Sequence, residues 1–582
     1  MLTNSALGAA LGAAYLTVLL LQLNPQVPLA SPGVWRWFAR MLLFYGSNLT
    51  VLFYGFIVVR ELVATRPLGP GWISVRVLAW MAALTAGAAS FLMWSNLRGF
   101  ENVLDADAAR RMLLGTVATT VSAVVLAAIA AVRYSFGRRG SAVSATLLAL
   151  AVAGSIVLPL AARGLGVRGM LGARPLRPSL GSPELAAGAP TVRLILLDGA
   201  SLDYLWPRVT DGRFPNFGRI LDAGAAIDLA TLRPTQAEPV WAAVATGKYP
   251  PKNGVRSAAT YRVPLGAPVD LLPDGCFAHG LVEFGFVEAE SHTSADWRAR
   301  PLWGIAGDYG LSVGIVRWPV TYPAPAVRGF LVTDRFHLVG DSPIPPDVEQ
   351  AVYPPDLLPL AREVYAAAAR QTLGDILPTN APVVPVTDEP PGASPERWDR
   401  MYGEVAEQAL GRFAVSLLAV RYQGLDTTGH SYLRYAEPRA FGDVSEAERA
   451  EFGQVLDRYY AFIDGQVGRA MAALGPDDLL LVVSGFGMQP VTPGKRLLAR
   501  LLGAPDLSGT HEEAPDGFLL AYGSHVVTGK LARGSVVDVT PTVLYYLGLP
   551  VGRDMDGFAR TDLFTRAFTA DRPITFIPSH QR

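Results

Sequence analysis

Before about residue 165 the chain holds five stretches, near 6–23, 41–59, 77–95, 112–132 and 142–162, each about twenty residues long and free of charged side chains. That is the length an α-helix needs to cross a hydrocarbon core roughly 30 Å thick. Runs of this kind can satisfy their backbone in lipid only as helices, so the N-terminal part is expected to be an all-α transmembrane bundle. The first stretch resembles the apolar part of a signal peptide. No basic segment precedes it, however, and four more spans follow, so it reads as a retained helix. Trp35, Trp37, Trp72, Trp80 and Trp94 fall near the predicted span ends, where interfacial aromatics gather. Five spans would place the rest of the chain on the side opposite the N-terminus. Arginines are shared almost evenly between the two sets of loops, so charge does not set the orientation. A transport role is disfavoured, because the spans lack the intramembrane charges of a transport path.

The remainder of the 582 residues has a different composition. Formal charge balances to zero, and no basic face argues for a nucleic-acid partner. Cys276 is the only cysteine, which excludes an intrachain disulfide and a cysteine-based zinc site. Residues 164–190, rich in Gly, Pro, Arg and Ser, read as a linker. Beyond it, strand-like apolar runs at 194–197, 313–316, 415–420 and 479–483 alternate with helical patterns near 215–223 and 236–246. Ser445 and Glu448 form a capping-box pattern, followed at helical spacing by Phe452, Val455, Leu456, Tyr459, Phe462, Ile463 and Val467. Such alternation predicts an α/β fold, a mostly parallel sheet with helices on both faces. The expected organisation is a membrane domain over 1–163, the linker, an α/β domain over 191–567 and a tail over 568–582. Stretches near 262–300 and 336–396 read as insertions or surface loops.

Ligands of open α/β sheets gather beyond the carboxyl ends of the strands. Asp198 directly follows the 194–197 run, and Asp426 lies a short loop beyond residue 420. Asp426 and His430 are one helical turn apart and could face a common ion. They could equally be a turn cap and a surface histidine, just as His511 could be an ordinary loop residue and Asp198-Gly199 plain turn chemistry. Thr235 precedes a helical pattern. It reads either as that helix's N-cap or as a nucleophile, and an unassisted threonine needs a metal ion for the second role.

Leu196-Leu197-Asp198-Gly199, Phe214-Pro215-Asn216-Phe217, Pro234-Thr235 with Trp241, and Ala245-Thr246-Gly247-Lys248-Tyr249-Pro250 follow one another in order. Gly424-Leu425-Asp426-Thr427-Thr428-Gly429-His430, Ser508-Gly509-Thr510-His511 and Asp538-Val539-Thr540-Pro541-Thr542 continue the series. Together they resemble the alkaline phosphatase superfamily, in its type I phosphodiesterase/nucleotide pyrophosphatase branch, over roughly residues 190–560. The resemblance implies an alkaline-phosphatase-like fold, a phosphoester substrate and two zinc-type ions. One ion would be held by Asp426, His430 and His511. The other would be held by Asp198, the nucleophile Thr235 and the Asp-His pair of a Ser-Asp-His-Gly motif. Here that motif reads Ser484-Gly485-Phe486-Gly487, so both side-chain ligands are gone and one zinc ion is expected rather than two. Lipoteichoic-acid synthases and phosphoethanolamine transferases of the same superfamily also carry N-terminal spans. By that analogy the domain is expected to be periplasmic or extracellular, acting on a phosphorylated small molecule, lipid or glycan.

Three readings of the activity stay open at this level. The chain is a pseudo-enzyme that binds a phosphorylated ligand, an enzyme with substitute ligands drawn from Glu238, Glu512, Glu513 or His525, or a slow hydrolase using the intact ion alone. Membrane phosphotransfer to a lipid or glycan is a variant of the enzymatic readings.

Overall fold

The structure, a computed structural model, describes residues 1–63, 72–135, 142–166, 190–339, 347–370, 376–377, 394–513 and 515–581. The chain divides into two compact units: Met1–Arg174 with Arg256–Ser291, and Pro175–Val255 with His292–Arg582. Most of the expected 164–190 linker, and much of the 336–396 stretch, lie outside the described residues.

The first unit contains helices α1 (Leu2–Leu23), α2 (Pro32–Met41), α3 (Ser47–Val63), α4 (Val75–Gly99), α5 (Ala106–Ser135) and α6 (Ala142–Arg163). Because α2 and α3 join through a π-helical turn at Leu42–Gly46, the described residues hold five helices long and apolar enough to cross a membrane. Each predicted stretch falls on one of them. Large apolar side chains such as Leu52, Phe56, Leu84, Phe91 and Val124 point outward, as they do on helices solvated by lipid. Inside, small polar groups tie helix to helix, for example Tyr15 to Ser155 (2.6 Å) and Ser90 to Thr120 (2.8 Å).

The Arg256–Ser291 segment, expected in part as an insertion, belongs to this unit. Its ends pair as antiparallel strands, Ala259–Arg262 with Glu288–Ser291. Its apolar residues Val263, Val269, Leu272, Leu281 and Val287 share a core with Leu20, Trp37 and Phe44. Asn24, fully buried near the end of α1, accepts from the Asp270 and Leu271 amides and donates to the Leu271 carbonyl. Asn96 of α4 treats Asp274 in the same way, and the Trp37 indole donates to the Ala267 carbonyl.

The second unit is built on a mixed, mostly parallel sheet. Its main strands in chain order are β1 (Val192–Leu197), β2 (Ala225–Ala230), β3 (Val313–Val316), β4 (Gly329–Val332), β5 (Val352–Tyr353), β6 (Leu417–Tyr422), β7 (Leu479–Phe486) and β8 (Asp516–Tyr522). Their order across the sheet is β2-β8-β7-β1-β6-β3-β4-β5, with short strands Gly529–Lys530 and Gly534–Ser535 against β2. Strands β7, β1, β6, β3 and β4 run parallel, while β8 and β5 are antiparallel to their neighbours.

Successive side chains of β1 alternate between two cores, Leu194 and Leu196 on one face, Ile195 and Leu197 on the other. Helix α7 (Ala237–Thr246) covers the first face. Helices α8 (Gly424–Ala436) and α9 (Val455–Ala472) cover the second. In the register, Leu197 lies beside both Tyr422 and Ser484. The chains leaving β1 and β6 therefore emerge side by side, at Asp198 and Gln423, next to Gly485 near the end of β7.

Two local expectations are revised. The pattern after Ser445 is not one helix. Its capping box starts Glu446–Phe452, and α9 begins anew at Val455, because Gly453 ends the first helix with its Cβ position only 2.4 Å from the Arg449 carbonyl oxygen. The residues beyond 567 fold onto this unit, where Phe568 stacks on Tyr546 and Phe576–Ile577 pairs with Val551–Gly552.

Candidate metal centre

Helix α8 carries two of the polar residues singled out by sequence, and its start is fixed from outside. The buried Asp399 carboxylate accepts from the Gln423 amide (3.2 Å), the Gly424 amide (3.0 Å) and the Tyr459 hydroxyl (2.9 Å), and it pairs with the buried guanidinium of Arg317. Gly424 is required, since a Cβ there would lie 1.6 Å from the Tyr459 hydroxyl oxygen. Asp426 follows in the first turn and His430 one turn later. Gly199, at φ 69°, lets the chain leaving β1 pass closely, because a Cβ would come within 2.9 Å of the Asp426 Cα.

His511 arrives on the far side of a two-residue strand, Gly509–Thr510, paired with Gln489–Pro490. Gly509 abuts α8 so closely that a Cβ would be 2.5 Å from the Gly429 carbonyl oxygen. The Ser508 amide donates to the His430 carbonyl (2.7 Å) across this contact.

Both imidazoles are oriented by backbone. His430 Nδ1 lies 2.8 Å from the Gly509 carbonyl oxygen, and His511 Nδ1 lies 3.1 Å from that of Thr235. A neutral ring that donates from Nδ1 presents a lone pair at Nε2, the arrangement of metal-ligating histidines. The rings sit 5.2 Å apart, centroid to centroid. One ligand atom each from Asp426, His430 and His511 fall within 4.8 Å of one another, the one such cluster among the described residues. Asp426 Oδ1 is buried without a hydrogen-bond partner, which is costly unless something else satisfies it. A cation meets that need. An orphaned carboxylate oxygen beside two aimed imidazoles fits zinc, with three protein ligands and one position left open.

Asp426 and the two imidazoles are also coupled electrostatically. Burial would raise the Asp426 carboxyl, but His430 and His511 outweigh it and hold the group below the usual carboxylate range. Burial would lower the His430 imidazole, and the Asp426 carboxylate raises it instead.

Asp198 sits beside this cluster with a different set of partners. Its carboxylate, 1% exposed, is held by the guanidinium of Arg421 through Nε (3.0 and 3.1 Å) and Nη2, and by the Trp241 indole N–H (2.8 Å). Arg421 is the penultimate residue of β6, in register with Leu196 of β1. Burial would lower its basicity, but the adjacent Asp198 carboxylate raises it above the ordinary value. At Gly485 a Cβ would fall 2.6 Å from Val240 Cγ1, and Phe486 is fully buried with its ring 5.0 Å from that of His511. Ser484 donates to backbone carbonyls of Ala200 and Phe486.

Thr235 is 2% exposed, and its hydroxyl donates to the Leu232 carbonyl (2.8 Å). The expectation that it caps the following helix is corrected: α7 starts one residue later than its pattern and its N-cap is Gln236. Of the substitute ligands considered from sequence, Glu512 pairs with Lys495, His525 with Asp477, and Glu513 is exposed. Glu238, in the first turn of α7, lies close enough to raise the basicity of Arg421. Arg421, Arg317 and Asp399 were missed by sequence reasoning. For Arg421 and Arg317 the available signal was a charged residue at the end of an apolar strand, which is rarely buried without a partner, whereas Asp399 lies within the helix Pro395–Leu410 and carried no such mark.

A family model described as type I phosphodiesterase / nucleotide pyrophosphatase matches residues 192–507. No curated protein matches the chain. Among solved structures, an inactive variant of murine ectonucleotide pyrophosphatase / phosphodiesterase 5 in complex with AMP is 14% identical, at a TM-score of 0.37, covering 65% of this chain and 100% of that one. Another structure of the murine protein is 13% identical at 0.37, covering 64% and 100%. A multiply substituted alkaline phosphatase PafA is 13% identical at 0.43, covering 65% and 100%.

Proposed function

The chain belongs to the type I phosphodiesterase / nucleotide pyrophosphatase family, and on that premise we propose that it is a membrane-anchored phosphohydrolase with a single zinc ion held by Asp426, His430 and His511. The observation that carries this reading is the buried, unpartnered Oδ1 of Asp426, whose carboxylate clusters with two imidazoles whose Nδ1 atoms are already committed to backbone. When bound, the ion supplies Lewis-acid polarisation of a phosphoryl oxygen and positive charge against the developing negative charge. Thr235 is the nucleophile. His511 ties the Thr235 backbone to the ligand set, and the Leu232 carbonyl orients the hydroxyl; as Oγ1 bonds to phosphorus the ester oxygen would leave, and the hydroxyl proton would pass to water or to that departing oxygen.

The substrate is a phosphoester, with a lipid- or glycan-linked one favoured by the apolar helices of residues 1–163. Five spans put the 191–567 domain outside the cytoplasm when the N-terminus is inside. A second reading, binding of a phosphorylated ligand without turnover, is favoured by the near-complete burial of Thr235.

The test is zinc content and hydrolysis of an aryl phosphodiester by the purified full chain. One equivalent of zinc is expected, lost in His511→Ala, with turnover that Thr235→Ala removes while zinc stays bound. Zinc without turnover would establish the second reading. Turnover unaffected by Thr235→Ala would remove it as nucleophile, and absence of zinc would sink the metal site.

A further inference from the structure

We propose that Arg421 is a built-in replacement for a second cation, locking Asp198 into a permanent ion pair so that the centre takes one metal ion and no more. The inference rests on reading Asp426, His430 and His511 as the metal site. The family resemblance implies a second ion on Asp198, Thr235 and an Asp-His pair. The residues present do not fit one. Gly485 and Phe486 offer no ligand and both Asp198 oxygens already accept from Arg421, which leaves the Thr235 hydroxyl alone, short of a ligand set.

A buried carboxylate without compensating charge is strongly unfavourable, and the guanidinium supplies that charge together with a fork of donors matched to two oxygens. Trp241 adds a third donor. The pairing is set by the sheet. Arg421 is in register with Leu196, two residues before Asp198 on the neighbouring parallel strand, and a shift of one residue would turn its side chain to the opposite face.

The rest of the pocket has been rebuilt to match. Val240 packs into the space that a side chain at 485 would need, and the Phe486 ring lies against His511. Simple loss of two ligands would leave a void and an unpaired carboxylate. Neither is found: Asp198 has a cation, Gly485 a close-packed neighbour, and Phe486 is wholly buried.

The experiment is zinc titration of the full-length protein in detergent, read as equivalents bound and as affinity, alongside melting temperatures. Wild type binds one equivalent even in excess zinc, and Asp198→Asn leaves that stoichiometry unchanged and the affinity within about threefold, the size of change expected when no ligand is lost. Arg421→Met and Asp198→Asn each lower the melting temperature, and the double variant loses less than the sum of the two. A second equivalent in wild type that disappears in Asp198→Asn would overturn the proposal, as would a tenfold or greater loss of the first. Additive melting losses would overturn it too. A chain that binds no zinc would instead sink the proposed function, and the coupling between Asp198 and Arg421 would then decide the inference alone.

Discussion

Gly485 shows how finally a single position can close a site. Its missing Cβ would sit 2.6 Å from Val240 Cγ1, on a β-branched, fully buried side chain with little freedom to move. Gly485→Ala is therefore expected to destabilise the domain by about 1–3 kcal/mol through overpacking. Val240→Ala should relieve much of that, so the double variant should melt above Gly485→Ala alone; strictly additive losses would contradict the packing argument. On the proposed reading, reinstating Asp and His at 485 and 486 is expected to leave zinc at one equivalent while Val240 and Arg421 remain; a second equivalent bound would contradict it. Asp198 and Asp426 were singled out because each lies just past an apolar run, whereas His511 rested on the motif resemblance. Arg421 was not singled out. The run was read as ending at Val420, where the charge begins, although the strand continues to Tyr422. What permits that charge in the interior is Asp198, 223 positions away and outside any local window.

At the scale of elements, the site depends on how firmly α8 is held at both ends of its contact. Asp399 serves as an external cap for its first amides and neutralises Arg317. Asp399→Ala would remove a buried carboxylate partner of that guanidinium together with the acceptor of three hydrogen bonds, and a loss of roughly 3–5 kcal/mol is expected. Zinc affinity should fall as well, because the turn bearing Asp426 loses its anchor; an unchanged affinity would show that the anchor is not needed. On the other side, Gly509→Ala places a methyl against the Gly429 carbonyl, a backbone atom that cannot swing away. The helix and the Gly509–Thr510 strand must then separate, carrying His430 from His511. Zinc affinity should drop on the order of tenfold or more, comparable to loss of a supporting shell. The helices and strands themselves were largely readable from periodicity, as with Pro215–Ala223 and Val313–Val316. The break at Gly453 was not, since apolar spacing continues across it and only the close approach to the Arg449 carbonyl marks the interruption.

For the whole molecule, the telling feature is that the chain leaves the second unit at Arg256 and returns to it at His292, having folded in between with the N-terminal helices. Composition could mark the stretch near 262–300 as an insertion or surface loop but not say where it packs, because its partners are Asn24, Trp37 and Asn96 far upstream. Its apolar residues Val263, Val269, Leu272, Leu281 and Val287 share one core with residues of the N-terminal helices, each worth about 1.5–3 kcal/mol of burial when fully covered. A chain lacking residues 1–174 should therefore expose them, aggregate without detergent and be cut by protease within 256–291. The second unit closes the gap on its own: the Arg298 amide donates to the Asn253 carbonyl, and Gly254 lies against the Asp296 carbonyl. Removing 256–291 as well, and joining the ends with a few Gly and Ser residues, should give a monodisperse protein that still binds zinc through Asp426, His430 and His511. If the chain that keeps 256–291 proves equally soluble and protease-resistant without its helices, the segment folds independently and the membrane part is only a tether.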